Sequence, residues 1–365
     1  MKKLRIATMI TGRYTCPPPK GVIYAPMVIA KAIVEGLVKR GHKVFFFGPE
    51  GSNLKATKII SGGMNPLYGK KEHEILQGPM IREKEREKIK NLWDQYLISL
   101  IYREALKGKY DLIHIHPVDR VLPFGLAFEN IPVVYTLHDP IYPWRRDIFR
   151  MFQSKNQYFV SISNAQRKPA PDLNWIATIY NGIDLKYFPF KQKPKNKTLF
   201  LGRILPTKGT DIAIQAAKLA KVKLIIAGSP NRGDFWENKI KPFLGKNIQY
   251  IGNVPYQKTY EYYGESKVSL FPIQWEEPFG LTFVESMACG TPVIAFDRGS
   301  AKEIIKNGET GFVVKNLREM VNAIKKIGQI DRRECRTWVE KKFPIEKMVD
   351  EYERIFFEIL KKKIK

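Results

Sequence analysis

Residues 277–285 read Glu-Pro-Phe-Gly-Leu-Thr-Phe-Val-Glu, and Ser286-Met287-Ala288-Cys289-Gly290 follow. Glu277 and Glu285, with seven residues between them, can each accept hydrogen bonds from ligand hydroxyls. Apolar residues 268–271 precede the run and apolar residues 293–296 follow it, a pattern that predicts strand, loop, helix and strand. The helix opens at Gly280 or Leu281 and ends at Gly290, which puts Glu277 in the loop before it and Glu285 inside it. The free amides of Phe279, Gly280, Leu281 and Thr282 then lie between the two carboxylates, at the positive end of the helix dipole. This chemistry suits a ligand with both hydroxyls and phosphates, such as a nucleotide sugar. The competing reading is a capping Glu277 and a solvated Glu285. Val284, Met287 and Ala288 around Glu285 argue against it, because an unpartnered carboxylate is costly to bury.

A second group, Gly202-Arg203-Ile204-Leu205-Pro206-Thr207-Lys208-Gly209, follows a strand and leads into a helix. Arg203 offers forked donors and Lys208 a compact charge, and from one loop they can converge on a diphosphate. On its own this pair reads as two solvated surface cations. Beside the two-carboxylate run it reads as a phosphate grip. In the first half, His138 stands at the carboxyl end of strand 133–137, and His116 at the end of strand 111–116. No third ligand accompanies the histidines at a useful spacing, and no Asp-x-Asp occurs, so neither a metal nor another cofactor is expected. The loop Pro17-Pro18-Pro19-Lys20-Gly21-Val22-Ile23 could bring the Gly21 amide to a phosphate or shape an acceptor pocket.

These groups need elements to hold them. A chain of 365 residues predicts two domains, and 44% hydrophobic with 12% aromatic residues is ample for packed cores. Short strands alternate with helices: 4–10, a helix over 26–40, 43–47, an amphipathic helix, 111–116, 133–137, 158–162 and 176–180. On the amphipathic helix, Ile89, Leu92, Trp93, Tyr96, Leu97, Leu100 and Ile101 recur at helical spacing. The pattern restarts after a basic stretch with two prolines, 189–197, with strands at 198–201, 223–227, 248–251, 268–271, 293–296 and 311–314. Residues 345–365 read as a closing helix. The expected organisation is α/β. A domain over 1–188 and a linker over 189–197 precede a nucleotide-sugar domain over 198–344, and a C-terminal helix follows over 345–365. The two doubly wound parallel sheets would face a central cleft at the carboxyl ends of their strands.

Bulk properties narrow the partners. Cys16, Cys289 and Cys335 show no paired spacing, which fits a reducing cytoplasm rather than a disulfide framework. No apolar run reaches bilayer length, and the N-terminal apolar stretch, broken by Thr8, Thr11 and Arg13, reads as a strand rather than a signal peptide. The net charge of +26 is spread evenly over both halves. It fits a Lys- and Glu-rich solvated surface, or attraction to acidic substrates or an anionic membrane, on which the helix around Trp93 and the Lys361-Lys362-Lys363 tail could dock. Nucleic acid is not expected, for want of a basic arm or an aromatic-basic repeat.

Together these residues resemble retaining glycosyltransferases of family 4 (glycosyl transferases group 1), which have the GT-B fold of two Rossmann-like domains. Gly202-Arg203 with Lys208-Gly209 and the Glu277 to Glu285 run carry the resemblance most specifically. Thr136-Leu137-His138, Ser161-Ile162-Ser163 and Tyr180-Asn181-Gly182-Ile183-Asp184 support it. The resemblance implies that Gly202, Arg203 and Lys208 serve the donor diphosphate, Glu285 the ribose, and Glu277 and His138 the transferred sugar. It also implies that the C-terminal helix crosses back to the first domain. The family's first loop commonly carries Gly-Gly and then an acid. Here Tyr24 stands in the acidic place, which leaves Tyr24 and His116 as acceptor-side candidates. The expected reaction is metal-independent transfer of a hexose from a nucleoside diphosphate sugar (UDP first, GDP or ADP next) to a hydroxyl of a glycan, lipid or small molecule, with retention. A GT-B epimerase or phosphorylase and a non-catalytic nucleotide-sugar-binding protein are the alternatives. The expected location is the cytoplasm or the inner face of its membrane.

Overall fold

The computed structural model describes residues 2–362 except 21, 23, 70–72, 78–81, 117 and 232. The chain forms two compact units. The first comprises Met1–Ile162, Arg167–Tyr180 and Ile345–Lys365, and the second Ser163–Gln166 and Asn181–Pro344.

The first unit contains β1 (Arg5–Met9), β2 (Lys43–Phe47), β3 (Lys58–Ile60), β4 (Leu112–Ile115), β5 (Val133–Thr136), β6 (Gln157–Ser161) and β7 (Trp175–Thr178). They form one sheet in the order β3-β2-β1-β4-β5-β6-β7, with every pairing parallel. β4 and β5 are buried at every position, as strands covered on both faces must be. Its helices are α1 (Ala25–Lys39), α2 (Glu83–Ala105), α3 (Leu122–Ala127) and α4 (Pro143–Phe152), while the short α5 (Asn164–Arg167) lies almost wholly in the second unit.

The C-terminal helix, α12 (Ile345–Lys362), belongs to this first unit. Met348, Val349, Tyr352, Ile355, Phe356 and Ile359 form its buried face. It lies against α1 at Gly36, where a Cβ would come within 2.6 Å of Val349 Cγ2. Glu353 joins the helix to the turn after α1 by accepting from Arg40 (3.0 Å) and pairing with His42 Nε2 (2.7 Å).

Two details differ from the sequence reading. The edge strand β3 was not anticipated, because three residues give too short an apolar signal. The face of α2 is also rotated from the expected one. Leu92 and Tyr96 are exposed, while Asp94, Ile98 and Tyr102 are buried. The rotation follows from Asp94, whose hydrogen bonds to the loop after β1 turn a polar position inward. Trp93 is half-buried and donates from Nε1 to Asn65 O at 2.9 Å, so it is not a free surface anchor. Lys363 lies outside the described residues.

The second unit contains β8 (Thr198–Leu201), β9 (Leu224–Ala227), β10 (Ile248–Tyr250), β11 (Val268–Phe271), β12 (Val293–Phe296) and β13 (Gly311–Val314). They form a parallel sheet in the order β10-β9-β8-β11-β12-β13. Helices α6 (Thr210–Ala220), α7 (Thr259–Glu265), α8 (Leu281–Ala288), α9 (Ala301–Ile304), α10 (Leu317–Lys326) and α11 (Arg332–Lys342) connect and cover it. The central positions β8 and β11 adjoin each other, so the loops at their carboxyl ends meet. Gly209 sits at that meeting point with φ +70°, and a Cβ there would lie 2.0 Å from Pro272 O. Gly209→Ala is therefore expected to cost about 2–3 kcal/mol in urea unfolding, through positive φ and the clash together. An unchanged midpoint would contradict this packing.

Candidate functional site

In the second unit, β8 delivers Gly202 and Arg203 to its carboxyl end, and a single 3-10 turn, Pro206–Lys208, carries the chain to Gly209 and α6. Gly228 permits the close approach of β9's exit, since a Cβ there would lie 1.8 Å from Gly202 O. The Gln274 amide donates to Thr207 O at 2.8 Å and ties the loop after β11 to this turn. Lys208 Nζ then meets Glu277 Oε2 at 2.9 Å, and Trp275 Nε1 donates to the same oxygen at 3.0 Å. The lysine also lies 4.4 Å above the Trp275 ring, in cation–π contact. The Lys208 and Glu277 side chains keep 22% and 14% of their surface, so the pair is shielded but reachable.

The Glu277 loop is fixed from behind. Ser300 N donates to Glu277 O at 2.9 Å, and Ser300 Oγ to Phe279 O at 2.8 Å. Gly299 donates to Glu276 Oε2 at 2.7 Å, and a Cβ on Gly299 would lie 2.2 Å from Glu277 O. Gly280 adopts φ +80° and starts α8, with Leu281 and Thr282 half-buried in its first turn. Phe283 N donates to Gly280 O at 2.9 Å, which leaves the Leu281 and Thr282 amides as the first-turn donors without an intrahelical acceptor, between Glu277 and Glu285 in the chain. The Phe279 side chain is buried against Phe343, so only its backbone can face a ligand. Arg203 is exposed, and its side chain makes no hydrogen bond or ion pair among the described residues.

Glu285 is 5% exposed and accepts from Tyr263 Oη at 3.1 Å. Burial pushes its carboxyl up to about 7, with hydrogen bonds from Tyr263 and Tyr256 opposing the rise. Tyr263 is held by its surroundings: buried Arg332 donates to Gly264 O and Ser266 O, and so pins the end of α7. The sequence reading did not foresee Tyr256, Tyr263, Trp275 or Gly299 in this neighbourhood. The aromatic-rich Tyr260-Glu261-Tyr262-Tyr263 was the only available signal, and it reads as ordinary core.

The first unit holds a separate cluster at the carboxyl ends of β1, β4 and β5. His116 Nδ1 and His138 Nε2 are 2.8 Å apart with rings stacked, so the two expected histidines do meet. Burial pushes His138 down to about 4, with Asp139 opposing and Arg145 adding. Arg145 holds this turn by donating to Pro140 O and Asp119 Oδ1. His114 Nε2, Thr136 Oγ1 and the Tyr352 hydroxyl of α12 form a buried chain with 2.9 Å links. The Tyr24 ring lies 6.1 Å from that of Tyr14, and burial, with Asp94 adding, raises its hydroxyl pKa. Gly21 lies outside the described residues. Among the described residues, no group of three or more His, Cys, Asp or Glu is placed to hold a metal ion, and no helix is long and apolar enough to cross a membrane.

The sequence matches two family models, Glycosyltransferase Family 4 over residues 28–187 and Glycosyl transferases group 1 over residues 185–342. The chain is a group 1 glycosyltransferase with the GT-B fold. A solved sucrose-phosphate synthase from Thermosynechococcus elongatus shares the fold at TM-score 0.74, with 19% identity over 97% of this chain and 99% of that one. An Anabaena protein, HepE, solved with UDP and glucose, matches at TM-score 0.68 and 17% identity, covering 97% and 100%. Among sequence relatives, an uncharacterised glycosyltransferase of Methanocaldococcus jannaschii is 24% identical, covering 84% of each chain. A D-inositol 3-phosphate glycosyltransferase of Paenarthrobacter aurescens is 25% identical, covering 79% of each.

The raised carboxyl of Glu285 has a measurable consequence in this glycosyltransferase. Its folded value lies above the ordinary 4.5, so its contribution to stability is full below about 4.5 and disappears as pH rises through about 7. The stability of wild type minus that of Glu285→Gln, from urea unfolding, is expected to fall over that window and level off above it. A difference independent of pH would show that Glu285 is not buried as described.

Proposed function

We propose that this glycosyltransferase moves a hexose from a nucleoside diphosphate sugar to an acceptor hydroxyl, with retention at the anomeric carbon and without a metal ion. The observation that carries the reading is the Lys208–Glu277–Trp275 cluster beside the amides of α8, with Glu285 buried along the same helix. In this reading Glu277 accepts from the donor sugar's hydroxyls, and Glu285 accepts from the ribose. Lys208 trades part of its contact with Glu277 for the diphosphate, and Arg203 is free to fold onto it. The family-4 model over the first half supports a retaining chemistry, and the UDP and glucose bound to HepE make UDP the first donor base to try.

The chemistry asks little of protein acids or bases. The anomeric C–O bond breaks and its electron pair leaves on the diphosphate oxygen. The acceptor oxygen bonds the same face of the carbon, and its proton passes to that diphosphate oxygen. Catalysis then rests on positioning and on cationic stabilisation of the leaving group by Lys208, Arg203 and the helix amides. His138, neutral at pH 7, serves as a hydrogen-bonding group for a sugar hydroxyl. In an assay of nucleoside diphosphate release, Lys208→Ala and Glu277→Ala are each expected to lower kcat by about 100-fold or more, with far-ultraviolet circular dichroism unchanged. Wild-type rates in both variants would sink the assignment. Release of nucleoside diphosphate without any acceptor dependence would favour an epimerase.

A further inference from the structure

Arg13 follows β1 in the first unit, in a stretch that no motif claimed. Its surroundings are built around Asp94, which is fully buried on α2. Asp94 Oδ1 accepts from Gly12 N (2.7 Å) and Thr11 Oγ1 (3.0 Å), and Oδ2 accepts from Arg120 Nη1 at 2.7 Å. Arg13 Nε reaches Oδ2 only at 4.0 Å. One buried carboxylate therefore faces two guanidiniums, and Arg120 holds the hydrogen bond. Arg120 is further engaged through Nε with Asn91 Oδ1 at 2.6 Å. At the rim, Lys90 pairs with Glu87 (2.5 Å) and Glu83 (3.8 Å), and Glu87 also feels the charge of Arg13.

Arg13 Nε and Nη2 are both buried with no hydrogen-bond partner. These two atoms form one edge of the guanidinium, the edge that takes two oxygens of a carboxylate or phosphate side by side. A buried donor left unpaired costs about 1–3 kcal/mol, so this edge is held ready at an expense that only an acceptor can offset. The side chain as a whole keeps 22% of its surface, so this edge lies just beneath the solvent boundary rather than open to it. Three half-buried tyrosines stand beside it: Tyr14 lies between Tyr24 (6.1 Å) and Tyr68 (5.5 Å), and Tyr68 N donates to Arg13 O at 2.8 Å. Aromatic faces suit the C–H faces of a sugar ring.

We propose that Arg13 anchors an anion-binding subsite in the first unit, and that the acceptor is a sugar or polyol carrying a phosphate or carboxylate. The proposal rests on the glycosyl-transfer reading for the word acceptor, while the anion site stands on the first unit alone. A neutral acceptor would leave the Nε–Nη2 edge without a charged partner, and a cationic one would offer it no acceptor.

The test is calorimetric titration of the whole protein with glucose, glucuronate and glucose 6-phosphate, in saturating nucleoside diphosphate so that the donor side is filled. Wild type is expected to bind at least one of the two anions at least ten-fold more tightly than glucose. Arg13→Gln should lose at least ten-fold on that anion alone, and Arg13→Lys should recover part of the loss. Preference for glucuronate or for glucose 6-phosphate identifies the anion. No preference over glucose, or equal anion binding by Arg13→Gln, overturns the subsite. A wild-type protein that binds no nucleoside diphosphate overturns the donor reading instead, and the titrations repeated without it still decide the fate of Arg13.

Discussion

In both sheets every strand runs parallel to its neighbours, and that constraint governs the chemistry. A parallel sheet sends all its carboxyl ends to one edge, so loops far apart in sequence arrive together. In the second unit β8 and β11 are adjacent, which brings residues 202–209 beside residues 272–280. Three glycines remove the side chains that would hold those loops apart: Gly209 against Pro272, Gly228 against Gly202, and Gly299 against Glu277. The 2.9 Å contact of Lys208 with Glu277 is the product of that convergence.

That contact also explains how the site is ready before a ligand arrives. A lysine left alone at this edge would sample many rotamers, and a lone Glu277 would repel a diphosphate. Paired, they neutralise each other, and Trp275 holds both, through its ring for the lysine and its N–H for the carboxylate. In the proposed reading, an arriving diphosphate would compete with Glu277 for Lys208, while the sugar's hydroxyls would satisfy the carboxylate that is released. The exchange keeps charge and hydrogen bonds balanced, which favours a bound state with little rearrangement. Glu285 is treated differently. It is buried among tyrosines and held near neutrality, which suits hydrogen bonding to hydroxyls more than attraction of cations.

Much of this was legible in the chain. The alternation of buried strands and helices reads clearly because parallel strands are apolar throughout, and the Glu277 to Glu285 run and the Lys208 turn read through their glycines. Three features were not legible. The inward turn of Asp94 defeated the periodicity of α2, because one satisfied buried carboxylate outweighed exposing Leu92 and Tyr96. Tyr256, in the turn before α7, and Tyr263, on α7, reach Glu285 only through tertiary packing against α8, and no spacing rule announces that. Arg13 looked like a polar break in an N-terminal apolar stretch, and its meaning depends on Arg120 having taken the carboxylate first.

The central claim is that the second unit binds a nucleoside diphosphate through protein groups alone. Calorimetric titration of the wild-type protein with UDP, GDP and ADP in excess EDTA tests it most directly. The account predicts one-to-one binding of at least one of them, undiminished by the chelator. No binding by any of the three, or binding that appears only when a divalent cation is restored, would contradict it.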